Sequence, residues 1–225
     1  YDHVCAVLED KSVTCWGANG SGQATVPDGL GPVAIISAGG NHTCAVLEDK
    51  SVQCWGSNSS NQATVPDGLG PVTSISSGII HTCAVLEDKS VTCWGTDSFG
   101  QATVPDGLGP VVGISVGYNH TCAMLEDKTV RCWGNDSIGQ SSVPDGLTSV
   151  IGIELGVFYS CALLEDKTVQ CWGKNSQGQS TVPDGLGAVS QVSAGGDNYE
   201  NHTCVMLEDK SVTCWGANGS GQATV

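Results

Sequence analysis

The sequence predicts an all-β fold, a six-bladed β-propeller with one disulfide in each blade and a first blade that lacks its first strand. Six copies of one unit fill the 225 residues, since a cysteine recurs every 39 residues from Cys5 to Cys161 and Cys204 follows after 43. Each unit has four short β-prone stretches separated by Gly, Asn, Asp and Pro, and no stretch has apolar residues at helical spacing. A unit of about 40 residues with four strands is typical of a propeller blade rather than of a helical solenoid.

Each repeat unit contains four predicted strands, labelled A to D in chain order. In the second unit they cover residues 33–37, 43–47, 51–55 and 62–65. The whole chain, residues 1–225, is then a single propeller domain. Its six blades are predicted to span residues 1–26, 33–65, 72–104, 111–143, 150–182 and 189–225.

The first unit begins later in the repeat than the others. Tyr1 aligns with Gly40, near the end of strand A, and Val225 aligns with Val65, at the end of strand D. A closed ring would need about 13 more residues, which supply one D-to-A connection and one strand A. We expect this segment to lie outside the present sequence. The alternatives are a first blade that stays one strand short, with an open edge, and a strand supplied by a neighbouring molecule.

The 12 cysteines form six pairs with the same separation of ten residues. If Glu9, Asp10 and Lys11 form a three-residue hairpin loop, Cys5 faces Cys15 across strands B and C. An even number of cysteines at constant spacing is typical of an oxidising compartment. Twelve buried free thiols are the alternative, and zinc fits less well because its cysteine pairs are usually separated by two or four residues. The predicted disulfides are Cys5–Cys15, Cys44–Cys54, Cys83–Cys93, Cys122–Cys132, Cys161–Cys171 and Cys204–Cys214.

The recurring phrases HTCAVLEDKSVTCWG and GQATVPDGL resemble the regulator of chromosome condensation repeat family, especially its short bacterial-type and secreted versions. The resemblance covers essentially the whole chain and implies a β-propeller. The family's founding activity, nucleotide exchange on a nuclear GTPase, does not carry over, because this chain lacks basic, chromatin-facing character and its paired cysteines suit another compartment. One departure is a Lys where the family usually has Gly. These positions are Lys11, Lys50, Lys89, Lys128, Lys167 and Lys210.

The charge of the chain excludes several classes of partner. With 8 Lys and Arg against 23 Asp and Glu, the formal net charge is −15, so the clustered cations that hold a nucleic-acid backbone are missing. No apolar run approaches the ~18 residues that cross a bilayer, and we expect no membrane insertion. The chain begins at Tyr1 without an initiator Met or a leader, and we interpret it as the mature or trimmed form of a secreted, extracellular protein.

Blade connectivity assigns every loop to one of two faces. The A-to-B and C-to-D loops leave on one side, here named the AB/CD face, and the B-to-C and D-to-A loops leave on the other, the BC/DA face. Most acids belong to the BC/DA face, where Glu-Asp-Lys recurs six times. Carboxylates such as Asp10 and Asp28 could bind calcium there, but solvated turns are the preferred interpretation. The AB/CD face is rich in amides and has seven N-glycosylation sequons, at Asn19, Asn41, Asn58, Asn119, Asn135, Asn201 and Asn218.

Every Tyr and Phe of the chain, Tyr1 included, lies in or beside a loop of the AB/CD face. Exposed aromatic and amide groups build carbohydrate and protein sites, so we predict that this face binds a ligand. For Phe158 and Tyr159 the alternative is packing into the mouth of the central channel. The predicted ligand-binding residues are Phe99, Tyr118, Phe158, Tyr159, Asp197, Tyr199 and Glu200.

Differences between the six copies concentrate on the same face. Ile79, Ile80 and Ile138 stand in its loops, and the sixth copy has a four-residue insertion there. A residue present in all copies is needed by every blade, whereas a residue present in one copy is an addition of that blade. The insertion comprises Asp197, Asn198, Tyr199 and Glu200.

Two repeated residues have a structural and a functional interpretation. A Trp follows the second Cys in every copy, where an indole could stack on a sugar ring, but burial between blades is preferred because all copies share that packing. A His occupies one position in five copies, with Tyr159 in the remaining one. Five imidazoles could bind a metal or an anion, but hydrogen bonding to the local backbone is preferred. No metal and no cofactor are predicted.

The predicted function is secreted, non-enzymatic recognition, with a multivalent carbohydrate-binding protein, a lectin, as the preferred form. Several related shallow sites would convert weak contacts into strong attachment. The alternatives are an extracellular protein-binding or structural disk, and a carrier of one small molecule at the mouth of the central channel. Glycans or extracellular proteins are therefore the expected partners. Catalysis is not expected, because a nucleophile needs an asymmetric cluster with a base, whereas every His here belongs to the repeat.

Overall fold

The computed structural model describes residues 3–197 and 199–225 of the chain. None of these residues forms a helix long and apolar enough to cross a membrane. They form seventeen short β-strands, which are β1 (His3–Val7), β2 (Val13–Gly17), β3 (Val33–Ala38), β4 (His42–Leu47), β5 (Val52–Gly56), β6 (Val72–Ser77), β7 (His81–Leu86), β8 (Val91–Gly95), β9 (Val111–Val116), β10 (His120–Leu125), β11 (Val130–Gly134), β12 (Val150–Leu155), β13 (Tyr159–Leu164), β14 (Val169–Gly173), β15 (Val189–Gly196), β16 (Asn201–Leu207) and β17 (Val212–Gly216).

The strands form six antiparallel sheets, which are the six predicted blades. β1 and β2 form a two-stranded sheet, and the other strands form five three-stranded sheets of consecutive strands. The A strands of successive blades (β3, β6, β9, β12 and β15) contact one another in turn, so they line the inside of the array. The prediction of an all-β propeller is confirmed, and blade 1 does lack strand A among the described residues.

The prediction of a fourth strand, strand D, in each blade is wrong. Residues 57–64 form turns, as do the corresponding segments of the other blades. The cause is local, since Oδ1 of Asn58 accepts a hydrogen bond from the main-chain N–H of Ala63 and its Nδ2 donates to Oγ1 of Thr64. Such side-chain bonds offer the backbone an alternative to the sheet. Every copy has Asn or Asp at the position of Asn58, so the same turn recurs.

The hairpin between strands B and C has the predicted register. Cys44 lies directly opposite Cys54, with 4.1 Å between their Cα atoms, and the two form a disulfide. All six predicted disulfides are present, and no cysteine of the described residues is free. Each blade is therefore cross-linked within its own hairpin, next to the three-residue loop.

The Lys residues that stand where the family usually has Gly all lie in the B-to-C hairpin loops. All six Lys have φ between 64° and 72°, in the left-handed region that favours Gly. The Lys side chain reaches the next blade, where Nζ of Lys50 pairs with Glu87. A ladder of exposed ion pairs thus runs along the BC/DA face. Its other members are Lys11–Glu48, Lys89–Glu126, Lys128–Glu165 and Lys167–Glu208.

The five joints between successive blades share two hydrogen bonds to a Gln carbonyl, and four of them add a bond from a His, which Tyr159 replaces at the joint of blades 5 and 6. Between blades 2 and 3, the main-chain O of Gln62 accepts from Nε1 of Trp94 and from Oγ1 of Thr82, both at 2.9 Å. Nε2 of His42 lies 2.8 Å from the same Oγ1. Because the hydroxyl of Thr82 donates its proton to Gln62, it accepts the bond from His42, which carries its proton on Nε2. The other joining carbonyls belong to Gln23, Gln101, Gln140 and Gln179.

The apolar core lies between the blades. At the joint of blades 2 and 3, Val72 and Ile75 of strand A pack with Val46 of blade 2 and Trp94 of blade 3, and Leu69 of the D-to-A connection covers them. Each of blades 2 to 5 therefore contributes one side to each of two cores. The preferred interpretation of the repeated Trp as a packing residue holds for the five that are 7–8% exposed, and Trp16 differs from them.

Candidate functional site

Hydrogen bonds between loops of neighbouring blades agree with the predicted separation of the loops into two faces. On the AB/CD face, Nε2 of Gln101 at the end of a C-to-D loop lies 3.5 Å from Oδ1 of Asn119 in the A-to-B loop of the next blade. On the opposite side, the main-chain N–H of Glu87 donates to the O of Pro71, which joins a B-to-C loop to a D-to-A connection. Charged hairpin loops and amide-rich loops are therefore on separate sides.

Five aromatic, aliphatic and cationic side chains in loops of the AB/CD face differ from their counterparts in other blades, and we name this set the variable patch. It consists of Phe99, Tyr118, Ile138, Phe158 and Lys174, all from loops of blades 3 to 5. The rings of Tyr118 and Phe158 meet edge to face with centroids 5.7 Å apart, and Nζ of Lys174 lies 5.3 Å from the centroid of Phe158. Phe99 is 52% exposed, and Ile138 is similarly open to solvent. Phe158 thus has contacts with Tyr118 and Lys174, while Phe99 and Ile138 add exposed apolar surface to the patch.

The insertion of blade 6 is held by its own carboxylates. Oδ1 of Asp197 accepts from the main-chain N–H groups of Tyr199 and Glu200 at 2.7 Å, and these bonds lower the pKa of Asp197. The carboxylate of Glu200 accepts from Nε2 of Gln222 at 2.8 Å. Two of the predicted ligand-binding residues therefore position the loop, while the Tyr199 ring is 80% exposed at its tip. Asn198 and Tyr1 lie outside the described residues.

Tyr159 is a core residue in the structure. Its side chain is fully buried, its hydroxyl donates to the main-chain O of His202, and the same hydroxyl lies 3.1 Å from Oγ1 of Thr203, which donates to the main-chain O of Gln179. Gly156 makes room for the ring, because a Cβ there would lie 1.9 Å from Cε1 of Tyr159. Tyr159 therefore lies in the core between blades 5 and 6, not on the face and not in the channel mouth, whereas Phe158 beside it is half-buried and belongs to the variable patch.

The repeated His residues lie inside the joints. Burial lowers the pKa of His42 to about 4 and the pKa of His81 and of His120 to about 3, so all three are neutral at physiological pH. Their Nε2 atoms contact hydroxyl groups of the next blade. A neutral, buried imidazole committed to a neighbouring Thr or Ser is a packing group, not a surface ligand.

The sequons differ in exposure. Asn19, Asn41, Asn58 and Asn218 are exposed and Asn135 is half-buried, whereas Asn119 and Asn201 are buried. Nδ2 of Asn201 donates to the main-chain O of Asp197 at 3.0 Å, so this amide is used inside the fold. In the folded chain, glycosylation is therefore expected at five of the seven predicted sites at most, and these five remain predictions.

The carboxylates of the BC/DA face serve their own turns. Oδ1 of Asp49 accepts from the N–H and from Oγ of Ser51, and these bonds lower the pKa of Asp49. The same pattern recurs at Asp10, Asp88, Asp127, Asp166 and Asp209. Across the described parts of the chain, no three His, Cys, Asp or Glu side chains come together in a way that could hold a metal ion.

Two notable side chains escaped the sequence analysis. Lys174 of the variable patch stands where blades 2 and 3 have Ser57 and Thr96. Glu154 on β12 takes the place of a Ser in the other A strands. Desolvation by the surrounding strands raises the pKa of its carboxyl to about 7, although part of the side chain is exposed to solvent. A comparison of copies at every position, rather than at aromatic positions alone, would have found both.

A family model described as the regulator of chromosome condensation (RCC1) repeat matches the chain six times. Among solved structures, the ectodomain of the receptor kinase CR4 from Physcomitrella patens is similar, with a TM-score of 0.81, 27% identity and coverage of 96% of this chain and 59% of that one. This chain thus spans well under two thirds of that ectodomain. The repeat model matches residues 1–23, 33–62, 72–101, 111–140, 150–179 and 189–222.

Two further structures are similar over 96% of this chain. The CRINKLY WD40 ectodomain of the Arabidopsis thaliana receptor kinase ACR4 has a TM-score of 0.74, 26% identity and 78% of its own length covered. Prp20p from Saccharomyces cerevisiae has a TM-score of 0.80, 17% identity and 70% of its length covered, so its likeness concerns the fold alone. No curated protein matches the chain.

Proposed function

The chain belongs to the regulator of chromosome condensation repeat family, and on that premise we propose that it is an extracellular recognition module that binds a polypeptide ligand through the variable patch. In this proposal it acts by binding, without catalysing a reaction. The family supplies the propeller scaffold, and the loops of one face supply the site.

The extracellular assignment draws support from chemistry and from two relatives. Six disulfides persist in oxidising compartments such as the extracellular space and are rare in the cytosol and the nucleus. The two relatives with 26–27% identity are ectodomains of receptor kinases. A partner displayed outside the cell follows from both observations.

The observation that carries the proposal is the position of the differences between blades. Phe99 and Ile138 occupy a loop position where blades 1 and 2 have Ser21 and Ser60. Serine is sufficient for the turn, so the exposed ring of Phe99 is not needed by the blade. An exposed apolar side chain that folding does not require favours a role in binding.

The geometry favours one composite site over six equivalent ones. The repeated Trp is buried in blades 2 to 6, so it offers no platform that a sugar could use in each blade. The exposed rings instead come from different loop positions in neighbouring blades. Exposed aromatic anchors that come from neighbouring loops favour a protein-binding patch.

A glycan ligand is the second candidate, and Tyr199 favours it. The ring is 80% exposed at the tip of a loop fixed by Asp197, and carboxylates and amides surround it. A fixed, exposed aromatic face beside polar groups can stack on a sugar ring while the polar groups bind its hydroxyls. This site would be single rather than multivalent.

The experiment is a paired selection on the immobilised 225-residue chain, with a random peptide display library and a glycan array. Selected peptides should bind F99S at least tenfold more weakly, because Ser is the residue that blades 1 and 2 already have at this position. The variant E126Q, on the BC/DA face, is the matched control and should bind normally. Ligands that lose no affinity in F99S would refute the proposal, and sugars that depend on Tyr199 in Y199S would favour the second candidate.

A further inference from the structure

We propose that Glu154 is the anchor for a basic side chain of the polypeptide ligand, a Lys or an Arg that enters the central channel beside the variable patch. The carboxylate pairs with the ammonium or guanidinium group while other ligand residues contact the patch. The inference rests on the function proposed above and adds the chemical class of one ligand residue.

Glu154 lies on the innermost strand of blade 5, in a joint that is formed on both sides. It stands directly opposite Cys161 in the register of β12 and β13, and Cys161 packs with Val192 of blade 6. Directly paired residues have their side chains on the same side of a sheet, so Glu154 points toward blade 6. The A strands of blades 5 and 6, β12 and β15, contact each other there, and Glu154 is therefore at the inner end of their joint.

Serine at this position connects one A strand to the next. Oγ of Ser115 accepts a hydrogen bond from the main-chain N–H of Leu155 at 3.1 Å. Ser37 and Ser76 make the same bond to blades 3 and 4. Among the described residues, the carboxyl of Glu154 has neither a hydrogen-bond partner nor an ion-pair partner. The scaffold therefore has no need of a carboxyl here, and Glu154 gives up a bond that other joints make.

The carboxyl of Glu154 lies in a recess that water can enter. Its side chain is exposed to solvent, and yet the surrounding strands desolvate the carboxyl enough to raise its pKa to about 7. Both observations fit a group in a concave space such as the channel that the A strands line. The field of a carboxylate is screened less in such a recess than on an open surface, so a cation gains more by binding there.

Among the described residues, no charged group faces Glu154 from the strands packed against β12. Strands β9 and β15 have no titratable side chain, β13 has Tyr159, and β10 has His120. Burial raises the pKa of Tyr159 to about 12 and lowers the pKa of His120 to about 3, so both are neutral at physiological pH. The charge of Glu154 is therefore uncompensated within the joint, and a cation from another molecule would compensate it.

The recess is close to the variable patch. Phe158 follows Glu154 by four residues, in the loop that leaves β12, so their Cα atoms are at most about 14 Å apart. The ring of Tyr118 contacts Phe158 from the preceding blade. An extended peptide of about five residues covers this distance. One ligand can therefore contact both rings and Glu154.

The groups at the recess fit an organic cation rather than a metal ion. Ca²⁺ takes about six to eight oxygen ligands, and across the described parts of the chain no three His, Cys, Asp or Glu side chains come together. One carboxylate is sufficient for an ammonium or guanidinium group, which binds it through charged N–H donors. The aliphatic part of a Lys or Arg side chain can also pack along the apolar surface at the entrance.

The test uses peptides selected on the immobilised chain, resynthesised with each Lys or Arg replaced in turn by norleucine. One such replacement should weaken binding to the unmodified chain about tenfold or more, and the same replacement should have no effect on binding to E154S. Ser is the residue that the other A strands have at this position, and it would accept from the main-chain N–H of Ala194. E154S should therefore melt no lower than the unmodified chain.

The pH dependence gives a readout that a structural role would not produce. Peptides without His should bind the unmodified chain about tenfold more weakly at about pH 6 than at about pH 8, because the carboxyl takes up its proton. Binding to E154Q should not change over this range. As a direct probe, n-butylammonium should lower the pKa of Glu154 measured by carboxyl NMR, whereas n-butanol should not.

The outcomes separate this inference from the function on which it rests. Peptides that lose affinity in F99S but not in E154S overturn the anchor and leave recognition by the variable patch intact. Peptides that lose affinity in neither variant refute both. A selection that yields no Lys or Arg, or a pH dependence that persists in E154Q, also overturns the anchor.

Discussion

One main-chain carbonyl holds each of the five formed joints, since the O of a Gln accepts both an indole N–H and a hydroxyl from the next blade. In four of these joints the hydroxyl in turn accepts from a buried imidazole, so three side chains from two blades depend on one another. Buried groups of this kind are costly when one partner is lost, because the others remain desolvated. Substitutions of the repeated Trp and His residues, for which the sequence also allowed a ligand-binding role, are therefore expected to lower the free energy of unfolding.

Tyr159 and Tyr199 provide a matched pair at this scale. Y159F removes a buried hydroxyl that donates to His202 and contacts Thr203, and we expect it to lower the free energy of unfolding by about 1–3 kcal/mol. Y199F and Y199S, at the exposed loop tip, should leave stability unchanged within about 0.5 kcal/mol. Denaturant titration measures both, and equal effects in the two positions would contradict the assignment.

The buried His residues predict loss of stability in acid. The folded-state pKa of His81, about 3, lies below the unfolded value of 6.5, so the unfolded chain binds the proton first and stability falls as the pH drops below 6.5. H81Q keeps a donor for Thr121 but has no titrating group. The difference in unfolding free energy between pH 7 and pH 5 should shrink by about 2 kcal/mol in H81Q. An unchanged difference would show that His81 does not contribute.

At the scale of elements, the hairpin and its disulfide followed from the sequence because pairing register is a counting problem. Three loop residues bring Cys5 opposite Cys15, and the repeat extends the result to every blade. Strand D did not follow, since the Thr and Val of residues 62–65 are β-prone but Asn58 binds the backbone locally. Tyr159 was misplaced for a related reason. A large ring beside a loop can point outward or replace a His in the core, and the sequence does not distinguish the two.

Removal of one disulfide tests the contribution of a hairpin. The double variant C83A/C93A opens one short loop and leaves five disulfides intact, and the chain-entropy argument gives a loss of about 2–3 kcal/mol. Thermal unfolding should shift down by several degrees while the far-UV circular dichroism spectrum of the folded chain stays the same. An unchanged melting temperature would contradict this account, because it would mean that the disulfide does not restrict the unfolded chain.

The joint itself can be tested with Thr82 and Val4, which occupy equivalent positions in blades 3 and 1. T82V removes the hydroxyl that binds Gln62 and His42 and should cost about 1–3 kcal/mol in unfolding free energy. V4T adds a hydroxyl to a side chain of β1 that is 50% exposed, and it should have little effect. A large effect of V4T or none of T82V would contradict the description of the joints.

At the scale of the whole molecule, a repeated scaffold separates two kinds of surface. The B-to-C loops of the BC/DA face repeat from blade to blade, with carboxylates bonded within their own turns and Lys–Glu pairs between neighbouring blades. These exposed charges are solvated and offer no feature that distinguishes one blade from another. The AB/CD face changes from blade to blade. The repeat period and loop order sufficed to predict this division, but the contacts of Tyr118 and Lys174 with Phe158 required the structure.

The most direct test of recognition by the variable patch is a hydrogen-exchange footprint of the chain with a peptide selected on it. The amides of residues 96–101, 117–119, 135–139 and 157–158, which lie in the loops of the variable patch, should exchange more slowly in the complex. The Glu-Asp-Lys hairpin loops should exchange at the rate of the free chain. Protection of those hairpin loops, with no change around Phe99 and Phe158, would contradict recognition through the AB/CD face.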